Sequence, residues 1–112
     1  MMKLIVAIVQ DEDAGRLVSA LMDKGFGVTK LATTGGFLRA GNSTLISGVE
    51  DERLDEALGV IESVCKSREQ ITASTAPLGG HAAGGVYVPY PVRVTVGGAT
   101  VFVLEVEQFL KV

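Results

Sequence analysis

The sequence predicts an α+β sandwich in which one antiparallel sheet carries two helices on a single face. Three observations point there. An unbroken apolar run opens the chain, two amphipathic helical stretches occupy separate thirds of it, and β-branched runs fall between and after them. The 112 residues form one domain, 1–112, large enough for a core without staples.

Leu4 to Val9 contains Ile5, Val6, Ile8 and Val9 with no polar alternation, which reads as a strand buried on both faces. The next stretch, "DEDAGRLVSALMDKG", sets Ala14, Leu17, Val18, Leu21 and Met22 on one helical stripe. Asp11 suits the N-cap, Glu12 and Asp13 suit the positive helix start, and Lys24-Gly25 suits its end. "FGVTKLATT" (26–34) and "NSTLISGVE" (42–50) read as two strands. A second helix, "DERLDEALGVIESVCKS", aligns Leu54, Ala57, Leu58, Ile61, Val64 and Cys65. "REQIT" (68–72) reads as a fourth strand, and "VRVTV-GG-ATVFVLEV" as an added C-terminal hairpin turning at Gly97-Gly98. That register pairs Val94 with Val101 and Val92 with Val103. The order β-α-β-β-α-β plus a hairpin is a ferredoxin-like sandwich.

Composition narrows the function. Hydrophobic residues make up 47% and glycine a further 14 residues, roughly 60% together against the ~45–50% usual in soluble domains. A domain this apolar is expected to hide surface against copies of itself, and its monomer to be poorly soluble. The single Cys65 excludes an internal disulfide and fits a reducing compartment. "MMKLIVAIVQDED" is too short in its apolar part for a signal core or a membrane span, so a cytoplasmic protein is expected. A net charge of -3 speaks against long nucleic acid as a partner.

Residues for catalysis are scarce. His81 is the only histidine and sits among Gly and Ala, and with one Cys besides it there is no transition-metal ligand set. Cys65 on an apolar stripe reads as a small hydrophobe rather than a nucleophile. Glu105 and Glu107, two apart on a strand, share a face; solvation of a sheet edge accounts for them better than acid/base work. No enzyme, cofactor or metal is expected.

More promising is "TKLATTGGFLRAGN", residues 29–42. Gly35-Gly36 can turn consecutive N–H groups toward an anion. Phe37 offers a face for a stacked base, Leu38 a cover for its other side, and Asn42 a donor-plus-acceptor edge matching adenine. Lys30 and Arg39 are cations able to answer phosphate. The same loop would also serve as a plug into a neighbouring subunit. A second irregular stretch, "TASTAPLGGHAAGG" (72–85), is either functional or mobile at that length.

With these features in place the chain resembles the cyclic di-AMP receptor proteins of the PII-like, nitrogen-regulatory PII-related superfamily. The resemblance lies in "AIVQDED" (7–13), "TKLATTGGFLRAGNST" (29–44), "SREQ" (67–70), "PLGG" (77–80), "PYPV" (89–92) and "GGATVFVL" (97–104). It implies a homotrimer with a ligand in each cleft between subunits, and a non-enzymatic receptor that signals through loop movement to an unknown downstream protein. Thr29, Phe37, Leu38, Asn42 and Gly48 match ligand-contacting positions of one wall, and Phe102 matches another pocket position. Residues 34–42 would be a short counterpart of the PII T-loop, and residues 73–88 an enlarged B-loop. The chain departs from the pattern at Gly27, where family members that bind the ligand tend to carry arginine. Two other readings stand beside this one. A PII-like sensor of another adenine nucleotide such as ATP is the first, although the short loop has no tyrosine to modify. A structural trimer without nucleotide, including the copper-tolerance type, is the second.

Overall fold

The computed structural model describes residues 1–31, 41–77 and 87–112. Strand β1 (Met2–Gln10) leads into helix α1 (Asp11–Asp23), then β2 (Thr29–Leu31) and β3 (Asn42–Glu50). A short 3-10 turn (Asp51–Arg53) precedes helix α2 (Leu54–Cys65), followed by β4 (Arg68–Pro77), β5 (Tyr87–Val96) and β6 (Ala99–Val106). The main sheet has the order β2-β3-β1-β6, and every pairing in it is antiparallel. It is a mixed α+β fold with both helices packed on one side of that sheet.

Alternation along β1 decides which side. Ile5, Ala7 and Val9 are buried beneath the helices with Ala14, Leu17, Leu21, Ala57, Ile61 and Cys65, while Leu4, Val6 and Ile8 on the other face are half-covered. The strand is therefore not enclosed on both faces within one protomer. Both helical stripes hold, except that Met22 is 60% exposed at the margin of the first. Helix α1 ends in a Schellman arrangement: Gly25, at φ 88°, donates to the Met22 carbonyl at 2.9 Å, and the Phe26 N–H donates to Leu21 at 3.0 Å. This delivers Phe26 into the core, with the Arg53 guanidinium 4.1 Å from its ring centre.

At the helix start the expected roles shift. Gln10 holds the N-cap position without a side-chain cap bond, and Asp11 is already helical. Asp13 is not a solvated charge beside the dipole, because it is completely buried.

The largest correction concerns the predicted C-terminal hairpin. Strand β5 does not pair with β6. Val94 faces Gln70 and Val92 faces Thr72 across the β4–β5 ladder, whereas Val101 and Val103 of β6 face Ala7 and Ile5 of β1. Gly97 and Gly98 do turn the chain, with φ of 85° and 90°, but they pass it from one sheet to another. β6 is thus the closing strand of the βαββαβ plan, and β4–β5 is a two-stranded arm inserted before it. The physical reason is burial. Beside β1, the β6 valine Val101 packs against the core, whereas a β5–β6 ribbon would leave β1 with an open edge. Part of the stretch read as irregular, Thr72–Pro77, continues β4, and residues 78–86 lie outside the described residues. The arm accounts for the elongation, with a longest extent of 66 Å and a radius of gyration of 19.3 Å, against ~13 Å expected for a compact chain of this length.

Candidate functional site

Residues on paired strands share a face with their register partners, so the ladders locate the predicted site residues. Thr29 pairs with Ile46, Ile46 with Val6, and Val6 with Phe102, a single row across all four strands. Asn42 and Gly48 lie four and two residues from Ile46 along β3, on the same side. Thr29, Asn42, Gly48 and Phe102 therefore all belong to the sheet face opposite the helices. Lys30 pairs with the buried Leu45 and so belongs to the helix side. Gly35, Gly36, Phe37, Leu38 and Arg39 lie outside the described residues.

Among the described residues, that face carries at least two depressions. The first, about 320 Å³, is lined by Met2, Leu4, Gly27, Thr29, Ile46, Ser47, Gly48, Val106 and Phe109. It brings together Thr29, Gly48 and the position of the missing arginine, Gly27. Among the described residues, none of its lining side chains is ionisable, so those residues offer an anion hydroxyl and backbone N–H donors. Ser47 fixes one corner by donating from Oγ to the Gly27 carbonyl at 2.7 Å. Space at the two glycines is real. A methyl on Gly27 would meet nothing within 4 Å, and one on Gly48 would touch Met2 Sδ at 3.5 Å.

The second depression, about 280 Å³, is lined by Ile8, Gln10, Asn42, Gly97, Gly98, Ala99 and Thr100. Asn42 sits there, roughly 14 Å along the strand from the Thr29 row at ~3.4 Å per residue. Phe102 is 53% exposed and lines neither depression. Three strand spacings of ~4.8 Å put it roughly 14 Å from Thr29 within one protomer.

Most lining residues were not among the predicted site residues, Phe109 and Gln10 among them. Phe109 follows the last strand and is 63% exposed at the rim of the first depression. It stands in a segment with no periodicity to mark it. Gln10 stands at the junction of β1 and α1, and its side-chain oxygen accepts from the Gly97 N–H at 2.7 Å.

The acidic pair does not form either. β6 ends at Val106, leaving Glu107 off the strand. Glu105 binds Lys3 Nζ at 2.6 Å, and that bond holds its carboxyl below the ordinary carboxylate range. The Cys65 thiol is buried, and burial pushes its pKa up.

A family model described as "Cyclic-di-AMP receptor" matches residues 2–112. The chain belongs to the cyclic-di-AMP receptor family. A crystal structure of a functionally unknown protein from Pediococcus pentosaceus ATCC 25745 is similar at 42% identity and a TM-score of 0.77, covering 99% of this chain and 97% of that one. Membership in this receptor family agrees with a sheet face that offers donors and apolar walls. Among the described residues, no helix is long and apolar enough to cross a membrane.

Proposed function

We propose that this protein is a non-enzymatic, cytoplasmic receptor that binds cyclic di-AMP at clefts between the subunits of a homotrimer. The observation that carries the reading is the convergence of Gly27, Thr29 and Gly48 on one uncharged depression, with Asn42 and Phe102 on the same uncovered sheet face. In this reading the phosphates rest on backbone amides of 27–29 and 47–48 and on the Thr29 hydroxyl. Adenine stacks on Phe37 and Leu38 beside Gly35-Gly36, and Asn42 reads its edge.

Two features support the intersubunit placement. Phe102 and Leu104 are 53% and 48% exposed on a face whose other members are largely apolar, a surface that copies of the chain cover by packing sheet against sheet. Phe102 also lies too far from Thr29 to close the same pocket alone, so a neighbouring copy supplies the second aromatic wall. Calorimetry against cyclic di-AMP, ATP and AMP, with light scattering on the same sample, tests the reading. A trimeric mass and heat confined to the cyclic dinucleotide support it. Heat with ATP alone makes it a sensor of another nucleotide, and a trimer silent to all three makes it structural. Phe37→Ala is expected to weaken binding by ~1–3 kcal/mol if adenine stacks there.

A further inference from the structure

The acidic end of the motif "AIVQDED" (7–13) and the motif "SREQ" (67–70) have no part in the ligand reading, yet the fold joins them. Asp13 Oδ1 accepts from Arg16 Nη2 at 2.7 Å and from Arg68 Nη2 at 2.8 Å, and Oδ2 accepts from Arg68 Nη1 at 3.3 Å. Arg68 is the first residue of β4 and also donates to the Lys66 carbonyl at 3.1 Å. The other root of the arm is held by the neighbouring motif residue, since the Gly97 N–H donates to Gln10 Oε1 at 2.7 Å. The junction is tight. A Cβ on Gly97 would lie 2.5 Å from Arg68 Nη1 and 2.7 Å from the Lys66 carbonyl, at a φ of 85° that suits glycine.

The same helical turn holds the end of the glycine-aromatic segment. The Asp11 N–H donates to the Gly41 carbonyl at 2.8 Å, and the Asp11 carboxylate accepts from the Ser43 hydroxyl. Thus residues 10–13 grip both roots of the β4–β5 arm and the point where the segment 29–42 returns to the sheet. The arm itself packs chiefly strand on strand, so its orientation is set at those roots.

We propose that the Gln10–Asp13 turn is a coupling device that passes displacement at Gly41–Ser43 to the roots of the β4–β5 arm. It rests on the ligand reading for its trigger and supplies the regulation of that same site. A completely buried carboxylate does not give up its guanidinium partners gradually, because leaving it unpaired is strongly unfavourable. The Asp13–Arg68 contact therefore moves as a unit with the first turn of α1, and Gln10 carries Gly97 in the same sense. Ligand on the sheet face shifts Asn42 and its neighbours, the turn follows, and the arm responds by changing its position or order. Asp13 and Arg68 line neither depression and act here as positioning residues, whereas Gln10 borders the Asn42 depression.

Hydrogen exchange at residues 68–71 and 93–98 reads the device in the intact protein, in Arg68→Lys and in Ser43→Ala. Lysine keeps Asp13 charge-paired while losing the two-pronged grip. In the parent protein cyclic di-AMP alters exchange at these roots. In Arg68→Lys it binds within threefold of the parent affinity, yet the root response falls by at least half. An equal root response in both proteins overturns the proposal. If Arg68→Lys fails to fold, Ser43→Ala with cyclic di-AMP bound carries the same comparison. If the parent gives no heat with cyclic di-AMP, the ligand reading fails, and Ser43→Ala without ligand decides the device. Root exchange at least threefold faster than in the parent sustains it, and unchanged exchange ends it.

Discussion

Restoring a cation at Gly27 is the most direct probe of where phosphate sits. The backbone there is not left-handed, and a new Cβ meets nothing within 4 Å, so Gly27→Arg enters without displacing the sheet. Among the described residues the first depression has no ionisable lining residue, and a guanidinium introduced there faces no competing charge from them. A hydrogen bond to a charged group contributes ~1.5–3 kcal/mol, which at ~1.4 kcal/mol per decade is a tenfold to hundredfold gain in affinity. Because the depression opens to solvent, the lower end, about tenfold, is expected at physiological salt, with a larger gain at low ionic strength. Calorimetry against cyclic di-AMP at two salt concentrations measures it, with Gly27→Ala as the steric control. Unchanged affinity in Gly27→Arg, with the trimer intact, would show that the phosphates lie elsewhere and that the 27–29 corner is not the anion site.

Other consequences are equally concrete. Gly48→Ala places a methyl in ordinary contact with Met2, so folding is retained while the depression is partly filled; calorimetry is expected to show weakened binding without a lower melting temperature. Asp13→Asn is expected to lose about 2 kcal/mol in urea unfolding at neutral pH, the size of charge-assisted bonds to half-exposed arginines. The Arg68 guanidinium, with Arg16 beside it, holds the Asp13 carboxyl below its ordinary value despite burial. The stability it contributes is whole above the unfolded value of ~3.9 and is lost as pH falls through the lower folded one. The gap between parent and Asp13→Asn should therefore close below about pH 4, and a gap that stays constant down to strong acid would refute the assignment. Cys65, buried with its thiol pKa raised, is expected to react with a thiol reagent only after unfolding; stoichiometric labelling of the native protein would contradict that.

Much of this protein was legible in the chain by itself. The stripes Ala14–Leu17–Leu21 and Ala57–Ile61–Cys65 specify two helices because only a period of 3.6 gathers those side chains onto one flank. β3 was legible at both ends, Asn42 and Glu50, and so was the shared family pattern that covers residues 2–112.

Three things were settled only by tertiary structure. A valine-rich run followed by Gly97-Gly98 and a second such run is locally a hairpin, but pairing depends on what else is available. β1 had an unpaired edge, and pairing β6 with it packs Val101 against the core. Asp13 looked like a charge at a helix start because a carboxylate there is favourable in isolation. Its burial and its grip on Arg68 arise from a partner 55 residues away, and no local pattern encodes such a meeting. The gathering of Gly27, Thr29, Gly48 and Phe109 around one hollow likewise comes from strand register and the path of the chain after β6. Sequence periodicity sets which way a side chain points from its own strand, whereas the identity of the strand alongside follows from the competition among all edges for burial.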